Sequence, residues 1–328
     1  MRFELCYLVA LGYFGVLGST IPEVENARQL YEEFKLKYQK SYSNDDDEYR
    51  FRVFRDNLLR IKQFQNMERG TAKYGVTQFS DLTAQEFKVK YLRSEFGGGV
   101  PVDRESVPFT QTAVNDDNFD WRNRGAVGPV LDQGDCGSCW AFSAVGNIEG
   151  QWFRRTGELL KLSEQQLVDC DEVDQGCDGG TPPLAFKQVV EMGGLQLDSD
   201  YPYEESEGQC RMVPSEFKVY INGSKLLPED EEVQAQMLKE IGPLSSALNG
   251  IFLQFYQEGI LHPLQPLCDV QSLNHAVLTV GYGKEGRLPY WTVKNSWSSM
   301  FGENGYFRIY RGDGTCGINT LVSTSIIL

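Results

Sequence analysis

Histidine is scarce in this chain: His262 and His275 are the two among 328 residues. Any imidazole-dependent reaction therefore has two possible addresses. No apolar run reaches the roughly 18 residues that a bilayer-spanning helix requires, so a membrane span is not expected. Positive charge is also short: 31 Lys and Arg stand against 46 Asp and Glu, and from Asp117 onward the balance is 15 against 29. A body this acidic repels phosphate backbones and anionic lipid, so nucleic acid is not an expected partner. The charge fits a solvated surface or work in an acidic compartment, where protonation relieves the repulsion. Between Cys6 and Cys136 there is no cysteine.

What is present begins with MRFELCYLVALGYFGVLGST, an early basic residue, a short apolar run and small residues near Gly18 and Ser19. That is the layout of a secretory signal peptide over residues 1–19, and Cys6 leaves with it. Seven cysteines remain: Cys136, Cys139, Cys170, Cys177, Cys210, Cys268 and Cys316. In an oxidising compartment an odd count means three bridges and a leftover thiol, or a bond to another chain.

Residues 23–95 read as mostly helical and strongly charged. Leu30, Phe34 and Tyr38 fall four apart, on one helix face. Asp46, Arg50, Phe54, Asn57, Ile61 and Gln65 also share a face, and the polar Arg50 and Asn57 within that stripe suggest that it docks on something specific. YGVTQFSDLTAQEF then runs into a helix start at Thr83, with Glu86 placed for a capping box. Residues 94–118, with three consecutive glycines and two prolines, have the composition of a linker.

Beyond the linker, DQGDCGSCWAF (132–142) sets Cys136 and Cys139 three apart, open on spacing alone to a redox dithiol, half a zinc site, two half-cystines, or one structural and one reactive cysteine. Gly134 and Gly137 are poor helix interior, whereas Phe142, Val145, Ile148 and Trp152 are spaced as on a buried helix face, so Cys139 sits at a helix N-terminus. LSEQQLVDC predicts a second helix with a capping box of Ser163 and Gln166. HAVLTVGYG, YWTVKNSW and GYFRIYRG predict antiparallel strands. Helices first and strands second imply two packed halves with a cleft between them.

A helix N-terminus favours a thiolate by about 0.3–1 kcal/mol, and by up to about 2 kcal/mol when partly buried. Lowering a thiol from about 8.5 towards the low end of its range takes several units at about 1.4 kcal/mol each, so a cationic partner is needed. His262, between an apolar pair and prolines, reads as a loop residue. His275, at a strand start, can project towards the cleft and serve as base. Asn295 in KNSW can orient its other nitrogen, with Trp297 screening that bond. The backbone N–H of Cys139 and the amide of Gln133 fit the role of oxyanion donors.

These motifs resemble the papain family of cysteine proteases: DQGDCGSCWAF, LNHAVLTVGYG and KNSW match its three active-site motifs in order, and the likeness spans essentially the whole chain. The resemblance implies Cys139 as nucleophile, His275 as base and acid, Asn295 as orienter and Gln133 as oxyanion donor. It implies bridges Cys136–Cys177, Cys170–Cys210 and Cys268–Cys316. It implies an α+β fold, with a helical left half and an antiparallel, barrel-like right half, at 116–328, behind a helical inhibitory propeptide at 20–115. The stripe from Asp46 to Gln65 matches the family's E-R-F-N-I-N pattern, with Asp for the first Glu and Gln for the last Asn. Gly75, Thr77, Phe79 and Asp81 match its companion motif. Acid protonation of groups such as Asp81, followed by cleavage near residues 113–118, would release the enzyme. GNIEGQWF, KVYING, QFYQEGI and QPLCD are similar to the cathepsin F branch, without a cystatin-like domain ahead of the propeptide. No occluding-loop insertion falls between Cys210 and Lys225, which favours endopeptidase action.

Gly179 and Gly180 would admit a substrate backbone. Thr181, Pro182, Ala247, Leu273, Ala276 and Leu321 match positions lining the family's main specificity pocket, and this apolar set predicts Leu, Val or Phe at P2. Two residues depart from the family: Ser298 stands where Gly is usual and Phe301 where a second Trp is. NGS at Asn222 is a glycosylation sequon. No second C-x-x-C or Cys/His pair has zinc spacing, and no thioredoxin-like pattern surrounds Cys136 and Cys139, so neither metal nor cofactor is expected. Expected partners are protein and peptide substrates, the chain's own propeptide and cystatin-type inhibitors; the expected state is a monomer and the expected location lysosomal or secreted. The alternative from another class is a catalytically weak papain-like protein that binds peptides, while an inert disulfide scaffold leaves the odd cysteine unexplained.

Overall fold

The computed structural model describes residues 26–92, 117–264 and 268–327. The expected signal peptide and nearly all of the expected linker lie outside them. Helices α1 (Ala27–Tyr38) and α2 (Asn44–Met67) meet through buried Tyr31, Phe34 and Phe54, with ring centroids 5.1–6.0 Å apart. Asp45, Asp46 and Asp47 occupy the first turn of α2, where the helix dipole favours negative charge. The polar members of the α2 stripe point at the chain's own next turn. Asn57 is buried and donates through Nδ2 to the carbonyls of Ser80 (2.9 Å) and Leu82 (2.8 Å). Arg50 donates to Asp81 O (3.1 Å) and Glu86 Oε1 (2.9 Å). That turn follows β1 (Lys73–Tyr74) and leads into α3 (Ala84–Tyr91), which opens with the reciprocal Thr83–Glu86 capping box.

In the body, α4 (Cys139–Thr156), α5 (Glu164–Cys170) and α6 (Pro182–Met192) close over a core that includes Trp140, Val145, Ile148, Leu167, Phe186 and Val189. Ser163 caps α5 by accepting from Gln166 N (2.9 Å), but the expected box is only half formed. The Gln166 side chain instead donates to Gly194 O (2.9 Å) and accepts from Gln196 N (2.8 Å). Buried main-chain groups of another segment outcompete the local partner.

The other half is a sheet of β2 (Phe119–Asp120), β3 (Ser224–Leu226), β4 (Leu244–Leu248), β6 (Ile260–Leu261), β7 (His275–Glu285), β8 (Leu288–Lys294), β9 (Tyr306–Tyr310) and β10 (Val322–Ser325), in the order β3-β10-β4-β7-β8-β9-β6 with β2 also on β7. All pairs are antiparallel except β6 with β9. A separate strand, β5 (Tyr256–Glu258), pairs with β1. The helix-then-strand division is not clean: β2 precedes α4 in sequence yet sits on β7, and α7 (Glu231–Ile241) also packs on β7. A two-residue strand is too short to carry a period-two signal. Disulfides Cys136–Cys177 and Cys170–Cys210 staple the helical half, and Cys268–Cys316 the other. Each closes a loop of 40 to 48 residues. Chain entropy values such a closure at about 4 kcal/mol.

Candidate active site

The loop into α4 turns where glycine is needed. Gly134 has φ +60°, and a Cβ on Gly137 would collide with the carbonyl oxygen of Cys177. Cys136 is taken by its bridge, so Cys139, the first residue of α4, stands outside every disulfide and is buried. The helix lies along β7: Ser143 Oγ donates to Val277 O at 2.6 Å. Cys139 is one helical turn before Ser143, and His275 is two residues before Val277, so the two element starts carry sulfur and imidazole to the same level of the seam.

His275 is fully buried, and its Nε2 lies 2.8 Å from Asn295 Oδ1. Asn295 follows β8, and its Oδ1 also accepts from Ser296 N (2.9 Å). The Trp297 ring stacks on the imidazole at 4.6 Å. Nδ1 is buried without a hydrogen-bond partner, which leaves it as the nitrogen able to exchange a proton with a thiol. Burial lowers the His275 pKa to about 4, and the bond to Asn295 opposes this only in part.

Gln133 is held from the strand half. Its Oε1 accepts from Ser296 Oγ (2.6 Å) and Trp297 Nε1 (3.2 Å), and its Nε2 donates to Cys136 O (3.0 Å). The residues expected to meet substrate fall into groups. Gly179 has φ +122°, and a Cβ on Gly180 would enter the Trp140 ring. Thr181 and Pro182 open α6. Ala247 and Ala276 are register partners across β4 and β7, Ala247 N bonds to Leu321 O (3.0 Å), and Leu273 is two residues before His275. Leu321 is half-buried and Asn222 is exposed. Ser298 adopts φ +62°, the left-handed conformation that explains the usual glycine. Its hydroxyl accepts from Met300 N (3.2 Å). Phe301 meets Trp297 edge-on at 5.1 Å.

The N-terminal helical region covers this centre. Phe79, Phe87 and Tyr91 surround Trp297 edge-on at 5.4–5.9 Å, and Gln78 Nε2 donates to Trp297 O at 3.1 Å. Leu92 is buried against Gly250, which also abuts the His275 Cβ. Pairing of β1 with β5, and bonds from Thr71 and Ala72 N to Ile260 O (2.9 and 3.1 Å), fasten the same region lower down. His262, in the loop after β6 as expected, lies at this seam: its Nε2 is 2.8 Å from both Arg69 Nη2 and Asp313 Oδ2.

Sequence reasoning missed a buried charge cluster. Glu149, Glu164 and Lys294 line one cavity of about 20 Å³ beside Asn295, room for about one water. Burial raises both carboxyls and lowers Lys294. The available signal was Glu149 inside an otherwise apolar α4 face. Also missed were Ser296, behind Gln133, and Tyr203, behind Ser138. Among the described residues, no group of His, Cys, Asp and Glu is arranged to hold a metal ion, and no helix is long and apolar enough to cross a membrane.

Comparison with known proteins gives two family matches: residues 115–326 to the papain family cysteine protease family, and residues 31–87 to the cathepsin propeptide inhibitor domain (I29). The chain is 44% identical to cathepsin F of Mus musculus over 306 residues, covering 91% of this chain but 64% of that one. It is 41% identical to cysteine proteinase 15A of Pisum sativum, covering 91% of this chain and 86% of that one. Among solved structures, digestive procathepsin L2 proteinase from Tenebrio molitor larval midgut superposes with TM-score 0.82 at 34% identity, over 92% of this chain and all of that one.

Proposed function

The chain belongs to the papain family of cysteine proteases and carries that family's inhibitory propeptide, and from that premise we propose that it is the precursor of an endopeptidase acting through a thioester on Cys139. His275 Nδ1 takes the thiol proton, and the sulfur attacks the substrate carbonyl. The Cys139 N–H and the second Nε2 hydrogen of Gln133 bind the oxyanion. The imidazolium then protonates the leaving amine, and as a neutral base it activates the water that cleaves the thioester. Asn295 holds the ring throughout. One observation carries this reading: His275 Nε2 is fixed on Asn295 beneath Trp297, while Nδ1 is left free for sulfur.

The propeptide runs over residues 20–115, after a signal peptide over 1–19, and the peptidase over 116–328. α3 blocks the cleft by packing on Trp297. Asp81 ties this cover together: almost fully buried, it accepts from the Tyr42 hydroxyl and lies 3.4 Å from Lys40 Nζ. Disulfides and a zymogen form belong to the secretory pathway, with the lysosome or export as destination. The released enzyme is a monomer that takes proteins and peptides as substrates and cystatin-type proteins as inhibitors. Thr181, Pro182, Ala247, Leu273, Ala276 and Leu321 make an apolar P2 pocket beside the Gly179–Gly180 strand, and Asn222 is a glycan site.

The test is hydrolysis of peptides carrying Leu, Val, Phe or Arg at P2 by the acid-processed chain. Expected are apolar preference, loss of turnover in Cys139→Ala freed of its propeptide by the parent enzyme, and gain of Arg cleavage in Leu321→Glu. A processed chain that binds such peptides without cutting them supports the peptide-binding alternative.

A further inference from the structure

The loop 133–138 carries the proposed oxyanion amide at one end and the residue before the nucleophile at the other. Its Gln133 end is fixed from the strand half by Ser296 and Trp297. From the helical half, a single side chain reaches both ends. The Tyr203 hydroxyl donates to Gln133 O at 2.8 Å and lies 2.6 Å from Ser138 Oγ. Each hydroxyl has one proton, so the chain of bonds runs one way: Ser138 Oγ–H to Tyr203 Oη, and Tyr203 Oη–H to the Gln133 carbonyl. Ser138 has a poor alternative, since Cys136 O lies 3.5 Å from its Oγ.

We propose that Tyr203 is a positioning residue for the oxyanion hole, its hydroxyl fixing the span of loop 133–138 so that the Gln133 amide and the Cys139 N–H converge on one oxygen. The inference rests on the roles proposed above for Cys139 and Gln133. Tyr203 is itself well anchored. Its ring meets Phe142, in the first turn of α4, edge-on at 4.9 Å. Two residues earlier, Tyr201 is tied to α5 by its hydroxyl on Asp169 (2.8 Å) and its carbonyl on Ser163 Oγ (2.6 Å). Tyr203→Phe therefore removes the bridge while leaving the ring seated.

The experiment compares Tyr203→Phe, Ser138→Ala and the double variant with the parent, each after its own propeptide cleavage. Peptide hydrolysis develops an oxyanion, whereas alkylation of Cys139 by iodoacetamide does not. Loss of an oxyanion donor costs about 100-fold or more, and its partial misplacement should cost about tenfold. Expected is a fall of about that size in kcat, with KM and the rate and pH profile of alkylation unchanged. The double variant should lose no more than the worse single variant. An unchanged kcat, or alkylation falling in parallel with hydrolysis, overturns the proposal. A parent enzyme that alkylates normally but hydrolyses no peptide overturns the proteolytic reading beneath it instead.

Discussion

His275 Nε2 lies 2.8 Å from Asn295 Oδ1, and the ring's other nitrogen is buried without a partner. The amide oxygen fixes both tautomer and ring orientation, because a neutral imidazole bonded there carries its hydrogen on Nε2. Asn295→Ala should therefore lower kcat/KM by about tenfold or more and destabilise the fold by about 1–3 kcal/mol through a buried, unpaired N–H. Steady-state kinetics and thermal unfolding of the same preparation check both.

The covered His275 also makes the zymogen acid-sensitive. Its pKa, lowered to about 4 by burial, lies below the ordinary value of 6.5, so the unfolded or uncovered state binds the proton first. Stability is whole above about pH 6.5 and declines as pH falls towards about 4, by up to about 3 kcal/mol at 1.36 kcal/mol per unit. In a Cys139→Ala background, which blocks processing, adding His275→Asn should make the decline in Tm across that window shallower. An unchanged slope would assign the acid response to carboxylates.

Asn57 joins α2 to the turn that carries Phe79 over Trp297. Asn57→Ala leaves the buried Ser80 carbonyl without this donor, at about 1–3 kcal/mol, whereas Leu82 O keeps Gln254 Nε2 at 2.9 Å. The propeptide should then release at higher pH and faster, read as the rate of processing against pH.

Much of this arrangement was legible in the sequence for a local reason. Gly134 and Gly137 end a loop, so α4 begins at Cys139; Val- and Tyr-rich runs form β7, β8 and β9, which set His275 and Asn295 at their ends. What was not legible depends on distant partners. Gln166 abandons its local cap for Gly194 and Gln196, β2 joins β7 across most of the body, and Glu149 and Glu164 meet Lys294 from two helices and a strand. No periodicity encodes such meetings. His262 read as an ordinary loop residue because Arg69 and Asp313 are 193 and 51 residues away.

The Glu149–Glu164–Lys294 cluster works against stability at higher pH. One carboxylate can ionise against Lys294; the other retains its proton, and Glu164 fits that role because its Oε2 has no partner while Glu149 Oε1 accepts from Leu162 N (2.9 Å). Glu164 is raised by burial and by Glu149 to about 8, so the folded state binds more protons than the unfolded one. Stability is full below the ordinary carboxylate range, near 4.5, and is lost as pH rises towards about 8. Glu164→Gln should flatten the fall in Tm over that range; a fall as steep as the parent's would place the proton elsewhere.

The measurement closest to the central claim is the pH dependence of iodoacetamide labelling on the acid-processed chain, mapped to the modified cysteine. With Cys136, Cys170, Cys177, Cys210, Cys268 and Cys316 in bridges, labelling should be confined to Cys139. A thiolate paired with the His275 imidazolium predicts fast labelling that persists well below about pH 7, whereas an ordinary thiol, with a pKa of about 8.5, labels only above about pH 8. The second result would contradict nucleophilic catalysis by Cys139 and leave a cleft that binds peptides.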